Sequence, residues 1–124
     1  MKIHLTIYAY GGVAGACINS IIELSNLISH RNMKCLIRSV REDALISRSR
    51  SRETAVAIAS GADVWFQLDH DLSFDAEDVI TTCELAMEHK AAVCGVYSCR
   101  ATPPRSALRP IHDEPIKKVG ANEL

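Results

Sequence analysis

Residues 2–10, KIHLTIYAY, alternate Ile3, Leu5, Ile7 and Ala9 with His4, Thr6, Tyr8 and Tyr10. A period of two predicts a pleated strand. GGVAG follows and favours a tight turn. Ile18, Ile21, Ile22 and Ile28 then recur at helical spacing, flanked by Cys17, Leu24 and Leu27, so a helix is expected to run to HRN at 30–32. MKCLIRSV, 33–40, reads as a second strand. A polar, basic stretch reads as a loop to about residue 44, then a helix from about 45 to 60, with Gly61 placed for a left-handed C-terminus.

DVWFQL, 63–68, is a buried strand by its aromatic and branched content. Asp75 is set to cap a third helix over about 76–90, with Asp78 three residues on as a variant capping box. Val79, Ile80, Cys83, Ala86 and Met87 form its apolar stripe, and AAVCGVYS, 91–98, reads as a fourth strand. The order β-α-β-α-β-α-β predicts an α/β fold with right-handed crossovers, a mostly parallel sheet and flanking helices. The helical and strand periods stop at residue 101. The segment 101–124 holds all four prolines and reads as an irregular tail with a short strand at 116–120. Two regions follow: a domain over 1–100 and the tail over 101–124.

Composition narrows the function little. The 124 residues suffice for one domain and one modest core. With 48% hydrophobic and 23% charged residues the chain reads as a globular protein. The net charge of -1 makes no general demand for nucleic acid or an anionic membrane. No apolar run approaches the ~20 residues of a membrane span. The N-terminus lacks the pattern of a signal peptide, so a cytoplasmic location is the default expectation. Cys17, Cys35, Cys83, Cys94 and Cys99 are odd in number, scattered and without a C-x-x-C, which reads as reduced thiols behaving as small hydrophobes.

The candidate chemistry lies in WFQLDHDLSFDAED, 65–78, where Asp69 and Asp71 follow a buried strand. In open parallel sheets, ligands bind beyond the carboxyl ends of the strands. On extended chain these side chains would point the same way, about 6–7 Å apart. That spacing suits one carboxylate on a metal and the other on a nearby water or hydroxyl. Mg²⁺ and Mn²⁺ commonly take substrate phosphates as the rest of their shell. The bland alternative is a turn, where acids are common. His70 would point away and reads as a packing or surface residue. Seven Lys or Arg side chains between Arg31 and Arg52, against Glu42 and Asp43, form a local basic cluster. Arg48 and Arg50 suit phosphate oxygens. Arg52 shares a helix side with Arg48 and suits a solvated face. No aromatic residues interleave the basic ones, which disfavours nucleic acid.

Three segments carry a resemblance: HLTIYAYGGVAGACINSIIEL, ALISRSRSRETAVAIASGADVWFQLDHDLSFDAEDVI and AAVCGVYS. Together they cover roughly residues 2–98, and the second is the most specific. The chain resembles the nucleotide-binding half of GT-A-fold, family 2-like glycosyltransferases, a truncated, Rossmann-like half-domain. The resemblance implies Mn²⁺ or Mg²⁺ as cofactor and a nucleotide-diphosphate sugar as donor. It implies Asp71 on the cation that bridges the donor diphosphate, with Asp69 on ribose or the hydrated metal. Ala9 and Tyr10 would lie near the nucleobase, and Arg48 and Arg50 near the phosphates.

The family's second half supplies the acceptor site and the catalytic base, and the chain ends about where that half would begin. No acid after Asp78 stands out as a base: Glu84 and Glu88 belong to the third helix, and Asp113 and Glu114 to the tail. The acceptor is undetermined. The alternative function is a non-catalytic nucleotide-binding or oligomeric module of the same fold. A dinucleotide-binding protein ranks last, because GGVAG lacks the G-x-G-x-x-G spacing. The exposed edge of the fourth strand predicts a homodimer.

Overall fold

The structure is a computed structural model. It describes residues 1–41 and 45–95 in full, and the backbone of 98–99 and 105–106. Two compact units divide the chain, Met1–Val93 and Cys94–Leu124. The first runs β1 (Lys2–Ala9), α1 (Gly15–His30), β2 (Lys34–Arg41), α2 (Ile46–Ala59), β3 (Val64–Asp69) and α3 (Ala76–His89). This is an α/β architecture, a three-stranded parallel sheet flanked by helices, and it forms a small Rossmann-like half-domain. The strand order is β2-β1-β3. Ile3 faces Cys35 and Val64 in register, and Tyr8 faces Val40 and Asp69.

Right-handed crossovers on this order place α1 and α2 on opposite faces of the sheet. One face is apolar. Ile3, Leu5 and Ile7 of β1 and Leu68 of β3 meet Cys17, Leu24 and Ile28 of α1 and Val79, Ile80 and Cys83 of α3. Burying an aliphatic side chain of this size contributes about 1.5–3 kcal/mol, so this layer holds the unit together. Arg31 Nη2 donates to both Glu77 carboxylate oxygens, at 2.6 and 2.7 Å, and ties the end of α1 to the start of α3. Asp75 caps α3 by accepting from the Glu77 N–H at 2.8 Å.

The other face is polar. His4 and Thr6 are fully buried, although they alternate with the apolar residues of β1. The buried residues of α2 are Ser49, Glu53 and Ala57, one row at i, i+4 and i+8. None of them belongs to the apolar cluster. Glu53 is 1% exposed and its Oε2 accepts from Arg38 Nε at 2.8 Å. Thr6 accepts from Trp65 Nε1 at 2.9 Å. The Arg38–Glu53 pair thus ties α2 to β2 through a polar contact.

Some elements differ from the sequence expectation. The buried row of α1 is Cys17, Ser20, Leu24 and Ile28, while Ile18 and Ile22 are exposed. Three isoleucines drew the predicted face about one position too far round the helix. Met87 of α3 is likewise exposed. The fourth strand is not part of the main sheet: residues 91–95 carry no strand, and 96–97 lie outside the described residues. Ser98–Cys99 instead pairs antiparallel with Arg105–Ser106, so β4 and β5 form a separate two-stranded ladder. Hydrophobic content without a partner strand at that point does not make a strand. The dimer expectation drew on that edge; among the described residues, the outer strands of the main sheet are β2 and β3. The strand expected at 116–120 lies outside the described residues. Cys17 and Cys83 are buried, Cys35 is half-buried and Cys94 is exposed, so the apolar run around Cys94 does not bury its thiol. Among the described residues, no helix is long and apolar enough to cross a membrane.

Candidate functional site at the carboxyl edge of the sheet

The chain leaves β1 for β2 through α1 and reaches β3 only after crossing back over α2. β1 and β3 are therefore neighbours without being consecutive, the arrangement that opens a crevice at the carboxyl ends of the strands. A cleft of about 240 Å³ lies there. It is lined by Tyr8, Ala9 and Tyr10 at the end of β1, by Val40 near the end of β2, and by Ile46 and Ser49 of α2. Asp69, His70 and Asp71 complete it.

Asp69 is the last residue of β3. The backbone then turns, with the Leu72 N–H donating to the Asp69 carbonyl at 3.4 Å. His70 and Asp71 lie in this turn, so the extended-chain geometry stops at Asp69. His70, expected to face away, lines the cleft with both aspartates. Its Nδ1 lies 3.2 Å from the Tyr8 carbonyl oxygen. A carbonyl only accepts, so Nδ1 carries the hydrogen and the lone pair of a neutral ring resides on Nε2.

Several contacts hold this turn against the first loop. The Ala14 N–H donates to the His70 carbonyl at 3.0 Å. The Phe74 N–H donates to Ser20 Oγ at 3.0 Å. Gly11 adopts φ 81°, a left-handed value that a side chain disfavours, as the chain leaves β1. The GGVAG turn thus serves to bring the start of α1 against the acidic turn. Burial pushes the Cys17 thiol pKa up, and the nearby Asp71 charge adds to the shift.

The arginines separate. Arg50 Nη2 lies 3.9 Å from Asp69 Oδ1. Its guanidinium also sits over the Tyr8 ring, 5.5 Å from the centroid. Burial raises the Tyr8 phenol pKa, and Arg50 opposes that rise. Arg48 is exposed and is not among the cleft-lining residues. Arg50 thus meets the acidic site at its edge, through the carboxylate and the ring.

Of the residues expected from the sequence, Ala9, Tyr10, Asp69 and Asp71 share the cleft. Tyr8, Val40, Ile46, Ser49 and His70 also line it and were not anticipated. Tyr8 could have been found from the parallel register, which sets it opposite Asp69. Ser49 and Ile46 carried no signal, because nothing local says which face of a basic helix meets a cleft. Among the described residues, no group of three or more His, Cys, Asp or Glu side chains is placed to hold a metal ion. Asp69 and Asp71 both line the cleft; a hard cation held by two carboxylates would take water and phosphate oxygens as its other ligands.

The fold and cleft define the class: a Rossmann-like α/β half-domain with paired carboxylates at the mouth of a parallel sheet. No family model, curated protein or solved structure matches the chain.

Proposed function

We propose that the cleft binds a nucleoside diphosphate, as part of a nucleotide-diphosphate sugar, through a divalent cation held by Asp69 and Asp71. The observation that carries this reading is the joining of both carboxylates with Ala9 and Tyr10 in one cleft at the non-consecutive β1–β3 junction. Mg²⁺ or Mn²⁺ bound there would act as a Lewis acid toward the diphosphate and would stabilise it as a leaving group. Arg50 would shift its guanidinium from Asp69 toward the diphosphate once the cation takes the carboxylate. The resemblance to family 2-like glycosyltransferases gives the reaction class: transfer of a sugar to an acceptor.

Calorimetric titration of UDP with and without Mn²⁺ tests the reading. Binding that needs Mn²⁺ and vanishes in Asp71→Ala is the expected result. Asp71 is exposed at a turn, so the variant is expected to fold, since surface changes of this kind cost within about 0.5 kcal/mol. Unchanged metal-dependent affinity in Asp71→Ala would remove the assignment. A second reading, a binding module without transfer, is favoured because, among the described residues, no third His, Cys, Asp or Glu is placed with the pair to hold a metal ion. Donor hydrolysis or transfer separates the two.

A further inference from the structure

Ser49 is 3% exposed, lines the cleft, and its hydroxyl has no hydrogen-bond partner. A buried hydroxyl without a partner is destabilising for the folded chain, and such groups in folded proteins are usually satisfied by something. Ser49 lines the cleft together with Val40 of β2 and Ile46 of its own helix, and β2 lies on the other side of β1 from β3, which ends in Asp69. Ile46 is 61% exposed and Tyr10 is 69% exposed. The lining is therefore of two chemical kinds. Asp69 and Asp71 are acidic, while Val40, Ile46 and Tyr10 offer aliphatic and aromatic surface, together with one buried hydroxyl, Ser49.

We propose that the apolar part of the lining seats the nucleobase and that Ser49 Oγ is its hydrogen-bonding anchor, a role that rests on the cleft being a nucleoside diphosphate site. A base offers two flat faces to Tyr10 and Ile46 and a polar edge to the hydroxyl. A phosphate would gain nothing from that apolar lining. A serine hydroxyl both donates and accepts. It therefore serves the carbonyl at the 4-position of uracil and the amine at the 4-position of cytosine alike. Ser49 then confers affinity for the base with little discrimination between the two pyrimidines.

The test compares Mn²⁺·UDP, Mn²⁺·CDP and Mn²⁺·pyrophosphate on the full chain and on Ser49→Ala. One neutral hydrogen bond corresponds to a change of about three- to tenfold in affinity. The expected result is a loss of that size for both nucleotides, with pyrophosphate affinity unchanged. The melting temperature of Ser49→Ala should equal or exceed that of the parent chain, because the variant removes a polar group that lacks a partner. Ser49→Cys, nearly the same size with a weak donor, should fall between the two. Equal losses for nucleotide and pyrophosphate would place the hydroxyl on the phosphates and overturn the inference. Unchanged affinity for all three would overturn it as well. If the parent chain binds Mn²⁺·pyrophosphate but gains nothing from the nucleoside, the base seat fails and the metal site stands. Absence of Mn²⁺-dependent binding of any of the three ligands would refute both.

Discussion

Removing Arg38 should destabilise the protein more than removing the charge of its partner. Arg38 is 48% exposed and Glu53 is 1% exposed. The two ends of this ion pair therefore stand in different solvents. Arg38→Ala leaves the Glu53 carboxylate buried with no cation on Oε2, while Oε1 already lacks a partner. Breaking buried pairs in this way costs about 3–5 kcal/mol. The expected loss for Arg38→Ala is therefore about 3 kcal/mol at pH 7. Glu53→Gln keeps an acceptor for Arg38, which already reaches water, so its loss should be about 1 kcal/mol. The double variant Arg38→Met, Glu53→Met should lie close to the parent chain, as apolar replacement of buried ion pairs often does. Urea unfolding at pH 7 measures all of these. A loss for Arg38→Ala within 0.5 kcal/mol of zero at pH 7, in the range of ordinary surface changes, would refute the argument. So would a loss for Arg38→Ala no larger than that for Glu53→Gln, because a buried carboxylate without its cation could then not be its source.

Two further outcomes follow from burial. The His4 pKa is lowered by burial, with Glu53 opposing the shift and Arg38 and Lys2 reinforcing it. The unfolded chain thus takes up a proton near pH 6.5 that the folded chain refuses, so His4 favours folding above that pH and the benefit is lost as pH falls through its folded value. His4→Leu should flatten the stability profile between pH 7.5 and 5.5, and an unaltered slope in urea unfolding would count against the buried neutral ring. Burial pushes the Cys83 thiol up to about 11, so in native protein at pH 8 iodoacetamide should label exposed Cys94 well before Cys83 or Cys17, as mass spectrometry of the digested protein reports.

The sheet and its three helices were legible because their residues obey clean periods. Ile3, Leu5 and Ile7 alternate, Val79, Ile80 and Cys83 form a stripe, and Asp75 caps at the expected place. Gly61 ends α2 at φ 62°, as its position after a small apolar run predicts. The polar layer was not legible. Alternation places His4 and Thr6 on the far side of β1 but does not say that a helix will bury them. Glu53, in a run of arginines and serines, reads locally as a solvated acid. Its burial follows only from the pairing of β2 beside β1, which brings Arg38 under α2. For the site, Asp69 and Asp71 stood out as acids after an apolar strand. His70 did not, because the two-residue period was carried past the strand end into a turn. The fourth strand failed for the complementary reason: AAVCGVYS has strand composition, but a strand needs a neighbour, and residues 91–95 pair with none.

The central claim is that a divalent cation binds at the acidic turn together with a nucleoside diphosphate. Paramagnetic broadening of amide resonances by sub-stoichiometric Mn²⁺ tests it at residue level. With UDP present, the account predicts selective loss of signals from Asp69 to Leu72 and from Ala9 to Gly11, much weaker loss without UDP, and none of this pattern in Asp71→Ala. Broadening centred elsewhere, or the same pattern and strength with and without UDP, would contradict it.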